Sequence, residues 1–507
     1  MTGEPMNTPS GVKSSLHGTE PSLRLSCVIP VRSRRQPAAT IFPFDSRIFW
    51  LIPLMLLFSA LLMDGEGARI RWSALAAAIA CIIALAAVGY KLTSFVSIVA
   101  INHLIIYPFA AWGNLLLPEG AVRWDLWIDT HLAMQGCAVG ILGLALGAWI
   151  ANLSLGPQKV HAYGRCLKAP TLSRINILIS LIIVPVALIL GQMGMYYHMA
   201  ILENTMEAQK WLNLVAIIQY IAYSGIFLQV YRYTRTHSNK DAFWAFGLCL
   251  MCILIFLPSG NRSAAYGFLP LLLLAFSEWE SNTRKKIAVI GGSILVMLAL
   301  TSGINTYRNM GGLAKVDLGG KYAFALHSTL NPGASQDDIF ATIIGRLSDY
   351  VAAGRIIAFT PENIDFRGAE SIENLWQIYV PGFLNIIPDR INLADAIELC
   401  DRYGITKNYK GGGSAPCMII GDLFSRWGWP GIFLGMLVIG FVLRQFDLRV
   451  FYRWDTFTII YFVLMARLIL SISGGSLIQF CVTILRDSLV MALIAYVLAN
   501  VVQSKNA

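Results

Sequence analysis

An arginine interrupts one of the most apolar stretches of the chain, LIFLPSGNRSAAYGFLPLLL at residues 254–273. Arg262 follows Pro258 and Gly260, which favour a turn because proline lacks an amide donor and glycine tolerates turn geometries. A guanidinium group stays charged at any working pH and presents several donors to phosphate oxygens. Two interpretations are open. Either Arg262 binds an anionic ligand, or it has no ligand and its side chain extends to the membrane surface or interacts with the C-terminal end of the preceding helix.

More arginines lie in the segment 306–427, where each forms either a surface salt bridge or part of an anion site. They include Arg308, Arg346, Arg355, Arg367, Arg390 and Arg402. The stretch KGGGS after them combines glycines, which let backbone amides approach a ligand, with the predicted start of a helix, which favours negative charge. A flexible hinge followed by a helix cap explains it equally well. Its residues are Lys410, Gly411, Gly412, Gly413 and Ser414.

Arg467 lies within the apolar run YFVLMARLILSISGG. A charged side chain at the centre of a membrane helix costs on the order of 2.5–3.5 kcal/mol when the translocon inserts that helix into the membrane. We therefore expect Arg467 to face the interior of the helix bundle or a wet cavity. It then has either a functional role or a structural partner, for which Asp487 is a candidate.

The elements that carry these arginines are predicted to be membrane helices. Of the 507 residues, 56% are hydrophobic and 13% are charged, whereas a soluble protein carries roughly 25% charged residues. Apolar runs of about 20 residues recur, and each is long enough to cross a bilayer. The formal charge of +10 is typical of basic cytoplasmic loops in such a protein, so it does not indicate nucleic acid.

The fold class is therefore an all-α polytopic integral membrane protein with about 12 transmembrane helices and one large helical loop. The tail 1–46 is predicted to be disordered, nine spans fall in 47–305, the loop is 306–427, and 428–507 holds three spans and a short C-terminus. The predicted spans are 48–63, 72–90, 92–117, 131–152, 175–198, 211–230, 242–258, 264–277, 287–305, 428–446, 456–474 and 484–502.

Basic residues concentrate in one alternating set of loops, including QKVHAYGRCLK, RYTRTHSNK and TRKK. The positive-inside rule then places both termini in the cytoplasm, and the large loop and Arg262 on the outer side. The large loop is predicted to be folded, because Ile343, Leu347 and Val351 recur at helical spacing. Cys400 and Cys417 could pair there if that compartment is oxidising.

Two motifs resemble the bacterial O-antigen polymerases, which join oligosaccharide repeat units. In GGGSAPCMIIGDLFSRWGWPGIFLGMLVIGF, residues 411–441, a short helix, an aromatic-Gly-aromatic-x-Gly turn and an apolar span are similar to the C-terminal signature of that family. SGNRSAA resembles an outer-loop element, and the long loop before the last three spans matches the family layout.

The resemblance implies glycosyl transfer on the periplasmic face of the bacterial inner membrane. Its substrates would be oligosaccharides linked to undecaprenyl pyrophosphate, with the growing chain as donor and a new repeat unit as acceptor. Arginines near the outer interface could then stabilise the leaving pyrophosphate: Arg262, Arg308, Arg402 and Arg467, with Arg355 and Arg390 in the substrate loop. The bilayer and a chain-length regulator are the other expected partners.

A general base must deprotonate the acceptor hydroxyl, and several residues remain candidates for it. They are Asp349, Asp389, Glu398 and His327, together with Asp337 and Asp338. No His, Asp or Glu cluster in the sequence indicates a metal site, so neither a metal nor another cofactor is expected. The alternatives are an O-antigen ligase or another lipid-linked glycosyltransferase, a polysaccharide transporter or flippase, and a non-catalytic scaffold.

Overall fold

The computed structural model describes residues 47–61, 66–117, 127–155, 206–257, 267–309, 320, 323, 327, 344, 347–380, 395–405, 417–450 and 455–503. The chain divides into two compact units, Met1–Arg47 and Ile48–Ala507. The helix packing that the structure describes belongs to the second unit. The predicted tail and the predicted span 175–198 lie outside the described residues.

The described part of the second unit is helical and contains no strand. Its helices are α1 (Arg47–Leu61), α2 (Glu66–Ala87), α3 (Phe95–Leu104), α4 (Ala110–Leu115), α5 (Trp127–Leu155), α6 (Met206–Thr236), α7 (Asn239–Phe256), α8 (Leu269–Trp279), α9 (Thr283–Asn309), α10 (Tyr350–Phe359), α11 (Asp395–Arg402), α12 (Ile419–Val450), α13 (Thr456–Ile472), α14 (Leu477–Val482) and α15 (Ser488–Gln503). Two π-helical turns, Ile105–Phe109 and Thr483–Asp487, join α3 to α4 and α14 to α15.

Five helical stretches among the described residues are long and apolar enough to cross a membrane: Gly67–Ala87, Phe95–Leu115, Thr130–Ser154, Ile419–Arg449 and Leu477–Asn500. Each overlaps a predicted span. Large apolar side chains point outward from several of them, which suits a hydrocarbon solvent and not water. On α15 these are Leu489, Val490, Leu493, Tyr496 and Val497. The chain therefore has the fold of a helical membrane protein.

Helices α5 and α12 form the most extensive helix pair of the described structure. Glycines line their contact: a Cβ atom on Gly147 would overlap the carbonyl oxygen of Leu437, and one on Gly440 would overlap that of Leu144. Small residues let two membrane helices approach until their backbones touch, and van der Waals packing then holds them together. The backbones of α5 and α12 are therefore in direct contact.

At one end of the bundle, acidic side chains of α8 and α12 cap the start of α3. The carboxylate of Asp447, on α12, accepts hydrogen bonds from the hydroxyl of Ser94 and from the amide of Phe95, at 2.9 Å in the second case. Glu278 accepts from the amide of Thr93 at 2.7 Å. Negative charge at a helix N-terminus satisfies free amides and interacts favourably with the helix dipole.

The other end, called here the loop end, is formed by residues 347–380, by α11, by the start of α12 and by the turn between α13 and α14. Its parts are joined by hydrogen bonds. The side chain of Asn114 donates to the hydroxyls of Ser348 and Tyr350, at 2.8 and 2.6 Å. The amide of Ile419 donates to the carbonyl of Ser473 at 3.3 Å.

The sequence placed the boundary between loop and span at 427/428, but α12 begins earlier, at Ile419. The helix is broken at that boundary, where Trp427 has φ −142° and Gly428 has φ 64° with ψ −151°. Only glycine adopts the second conformation readily. A short helical segment, 419–426, thus precedes the turn and the long apolar helix, which is the order that the motif at 411–441 predicted.

Replacement of Gly147 by leucine should weaken the bundle. The added side chain meets backbone atoms of α12 that cannot move independently, so we expect a loss of about 3 kcal/mol or more in the free energy of unfolding. Thermal unfolding of the detergent-solubilised protein measures the loss. Gly291→Leu is the control, because nothing lies within 4 Å of a Cβ at Gly291; equal melting temperatures for the two variants would contradict the packing argument.

Candidate functional site

An ion pair lies fully buried at the start of α12. Asp422 and Arg426 are four residues apart on the short helical segment, so their side chains lie on one face. The Nε atom of Arg426 donates to Oδ1 of Asp422 at 3.0 Å, and both side chains have no exposed surface. Removing two charges from water costs several kcal/mol per ion, so such a pair persists only with further hydrogen bonds.

Asp422 receives those further bonds from two other segments. Nη1 of Arg367 lies 3.4 Å from Oδ1, and the backbone amide of Leu477 donates to Oδ2 at 2.7 Å. Leu477 is the first residue of α14, whose N-terminus favours negative charge. The carboxylate of Asp422 thereby joins α12 to the segment that contains Arg367 and to the turn between α13 and α14.

Arg426 binds the same segment from the other side. Its Nη1 atom donates to the carbonyl oxygens of Glu370 and Gly368, at 2.5 and 3.3 Å. Two backbone bonds strengthen the contact: the amide of Arg367 donates to the carbonyl of Ser425 at 2.8 Å, and that of Gly368 to Arg426 at 3.2 Å. The backbone of residues 367–370 is therefore held against α12.

Arg367 connects the buried ion pair to a partly exposed pair, Glu370 and Arg402. Oε2 of Glu370 accepts from Nε of Arg367 and from Nη1 of Arg402, at 3.2 Å in both cases. The side chains of Glu370 and Arg402 are 47% and 45% exposed, whereas that of Arg367 is buried. We call Arg367, Glu370, Arg402, Asp422 and Arg426 the loop-end arginine cluster. It holds three positive and two negative charges.

The charge state of Glu370 follows from these neighbours. Partial burial by itself would raise the pKa of this carboxyl, but the hydrogen bonds and charges of Arg367 and Arg402 hold its pKa below the ordinary value. The ion pairs are therefore complete at neutral pH and weaken only as the pH falls through the lowered pKa.

A small apolar cluster includes Tyr403, the residue that follows Arg402. Leu399 and Tyr403 on and beside α11 pack with Ile356 of α10 and with Cys417. The hydroxyl groups of Tyr403 and Thr360 share a hydrogen bond of 2.6 Å, and burial raises the pKa of Tyr403.

Cys417 is disulfide-bonded. The predicted partner, Cys400, lies on α11 between Leu399 and Tyr403, although its side chain is outside the described part. The pairing of these two cysteines stays a prediction.

Arg355, predicted to be a substrate-loop residue, lies next to this cluster. Its Nε atom donates to the carbonyl of Tyr403 at 3.0 Å, and its guanidinium group lies 5.0 Å from the centre of the Phe359 ring. A guanidinium group over an aromatic face gains a cation–π interaction. Arg355 thus holds the end of α11, which carries Arg402, against α10.

Of the four arginines predicted to bind pyrophosphate, Arg402 belongs to the loop-end arginine cluster. Arg467 lies on α13 with its guanidinium group 5.4 Å from the centre of the Tyr223 ring, facing the bundle as predicted. Its candidate partner Asp487 pairs with Arg486 at 2.8 Å. Arg308 is on α9, and the structure does not describe its side chain. Arg262 lies outside the described residues.

Two of the candidate bases lie at the loop end. Asp349 precedes α10 as its N-cap residue, between the two hydroxyl-bearing residues that Asn114 binds. Glu398 is exposed on α11, one turn before Arg402, and His327 is exposed. The other predicted residues lie outside the described ranges: Asp337, Asp338, Arg346, Asp389, Arg390, Lys410, Gly411, Gly412, Gly413 and Ser414.

Sequence reasoning missed three members of the cluster: Glu370, Asp422 and Arg426. One signal was available for two of them, because an aspartate and an arginine four residues apart in an apolar helix are rarely unpaired. Within the described part of the chain, no three His, Cys, Asp or Glu side chains come together as metal ligands would. The cluster's chemistry is that of arginines, which bind oxyanions.

Replacement of Asp422 by asparagine should destabilise the loop end strongly. The change removes the counter-charge of the buried Arg426 and leaves Arg367 with the exposed Glu370 as its acidic partner. Breaking a buried pair in this way costs about 3–5 kcal/mol. Thermal unfolding of the solubilised protein measures it. Glu373→Gln removes an equal charge from an exposed side chain nearby and should change stability by less than about 0.5 kcal/mol; a similar melting temperature for both would refute the central role of Asp422.

Comparison of the chain with protein-family descriptions, with curated proteins and with solved structures gives no match. The described residues define an arginine cluster at one end of a bundle of membrane helices.

Proposed function

We propose that this protein polymerises oligosaccharide repeat units carried on undecaprenyl pyrophosphate. The observation that carries the proposal is the loop-end arginine cluster, in which the half-exposed Arg402 stands beside the buried Arg367. It lies at the end of helices that are long and apolar enough to cross a membrane. A lipid-linked pyrophosphate would have its phosphates at that height when its hydrocarbon tail is in the bilayer.

The reaction is a glycosyl transfer. A sugar hydroxyl of the acceptor repeat unit attacks the anomeric carbon of the growing chain, and the bond from that carbon to the pyrophosphate oxygen breaks. Negative charge develops on the departing pyrophosphate, where arginine donors stabilise it more than in the ground state. The hydroxyl proton passes to a general base. Asp349 and Glu398 are the carboxylates at the loop end that we propose to test for this role.

In this proposal the protein has about twelve spans in the bacterial inner membrane, with both termini in the cytoplasm and the loop end in the periplasm. The disulfide at Cys417 supports that orientation, because disulfides form in oxidising compartments and are rare in the cytosol. The acceptor and donor would approach through the membrane, and a chain-length regulator would be the further partner.

Deletion of the gene should remove the long lipopolysaccharide ladder and leave a single repeat unit on the core. Gel analysis of the lipopolysaccharide gives this result directly. Loss of all repeats from the core would identify a ligase instead, because that enzyme uses the same donor with a lipid acceptor. An unchanged ladder would refute both functions.

Replacement of Arg402 by alanine should lower the rate of polymerisation about a hundredfold, which is what removal of one donor to a developing oxyanion costs. Arg402→Lys keeps the charge but loses the planar pair of donors, so we expect an intermediate rate. Ladder length with equal amounts of membrane protein is the measurement. The control is Arg284→Ala, at an exposed arginine at the start of α9; a normal ladder in Arg402→Ala would remove Arg402 from the site.

A further inference from the structure

The carboxylate of Glu370 is attached to a fixed backbone but is itself only partly enclosed. The backbone carbonyl oxygen of Glu370 accepts from the buried Arg426 at 2.5 Å, and the backbone amide of Glu370 donates to the carbonyl of Arg367 at 3.1 Å. The side chain is 47% exposed. Rotation about its side-chain bonds can therefore move the carboxylate away while the backbone stays in place.

One oxygen of this carboxylate lies between two guanidinium groups. Oε2 is 3.2 Å from Nε of Arg367 and 3.2 Å from Nη1 of Arg402. Carboxylate and phosphate oxygens accept the same kind of charge-assisted bond from arginine. The position of Oε2 is thus one in which a phosphate oxygen would also be bound.

The two arginines differ in how firmly they are held. Arg367 is buried and is bound to Asp422 as well, with Nη1 3.4 Å from Oδ1, so its guanidinium group keeps its place when Glu370 leaves. Arg402 is 45% exposed and can adjust to a larger ligand. The site therefore combines one fixed and one adaptable donor group around an exchangeable acidic side chain.

From this geometry we propose that Glu370 occupies an anion site in the free protein and that a pyrophosphate group displaces it. The inference rests on the proposed function for the natural source of that group, a lipid-linked pyrophosphate. Glu370 acts as a competitor inside the site. It excludes weakly bound monovalent anions such as chloride and yields to a ligand with several charges and oxygens.

The test is direct binding of two probes to the purified protein in detergent: inorganic pyrophosphate and farnesyl pyrophosphate. Removal of the competing charge in Glu370→Gln should tighten the binding of both probes about fivefold, which is the upper range for an exposed ion pair. Chloride should compete better in this variant than in the unchanged protein. Glu373→Gln is the matched control, because it makes the same change three residues away on an exposed side chain.

Unchanged or weaker binding in Glu370→Gln, or an equal gain in Glu373→Gln, would overturn the proposal. The proposal would also be overturned if neither probe binds to the unchanged protein or to Glu370→Gln. A melting temperature like that of the unchanged protein shows that Glu370→Gln is folded. Glu370→Asp is a second variant, in which the shorter side chain moves the carboxylate away from the two arginines. Tighter farnesyl than inorganic pyrophosphate binding identifies the lipid as the source.

The outcomes for the two proposals are separable. A lipopolysaccharide ladder that depends on the gene, together with unchanged pyrophosphate binding in Glu370→Gln, refutes the role of Glu370 and leaves the polymerase function standing. Tighter binding in Glu370→Gln, together with a ladder that does not depend on the gene, supports the anion site and refutes the polymerase function.

Discussion

The loop end depends on one buried carboxylate. Asp422 accepts from Arg426, from Arg367 and from the first amide of α14, and these three donors belong to separate parts of the chain. A buried carboxylate with fewer partners would be too costly to desolvate. Its full set of donors therefore demands that the three segments meet in one arrangement. The positions of the exposed Glu370 and Arg402 follow, because Arg426 holds the backbone beneath them.

The packing of α5 and α12 positions the segments that form this arrangement. The close contact of α5 and α12 through Gly147 and Gly440 fixes the direction of α12. The break at Gly428 then turns the short segment 419–426, which carries the buried pair. Packing of membrane helices is driven by contact and not by the exclusion of water. A bundle packed in this way can hold charges in place at the membrane surface, where a lipid-linked substrate would present its phosphates.

Five helical stretches long enough to cross a membrane were predictable, because each is a run of apolar residues whose length suits a bilayer. The short helix and turn at 419–431 also followed from the motif. The arginine cluster was only partly predictable: Arg402 and Arg367 were candidates by residue type, but their partner Glu370 was not. Pairing between Arg402 and Glu370, 32 residues apart, depends on how the segments pack, and local periodicity carries no information about it.

In the proposed function, arginines at the loop end of this bundle stabilise the leaving group when sugars are transferred from a lipid-linked pyrophosphate. The most direct measurement is a reaction of the purified protein, reconstituted in lipid vesicles, with a single repeat unit on undecaprenyl pyrophosphate. We expect products with two and more repeats, together with one released undecaprenyl pyrophosphate for each bond formed. A repeat unit that remains single, with no lipid pyrophosphate released, would contradict the account.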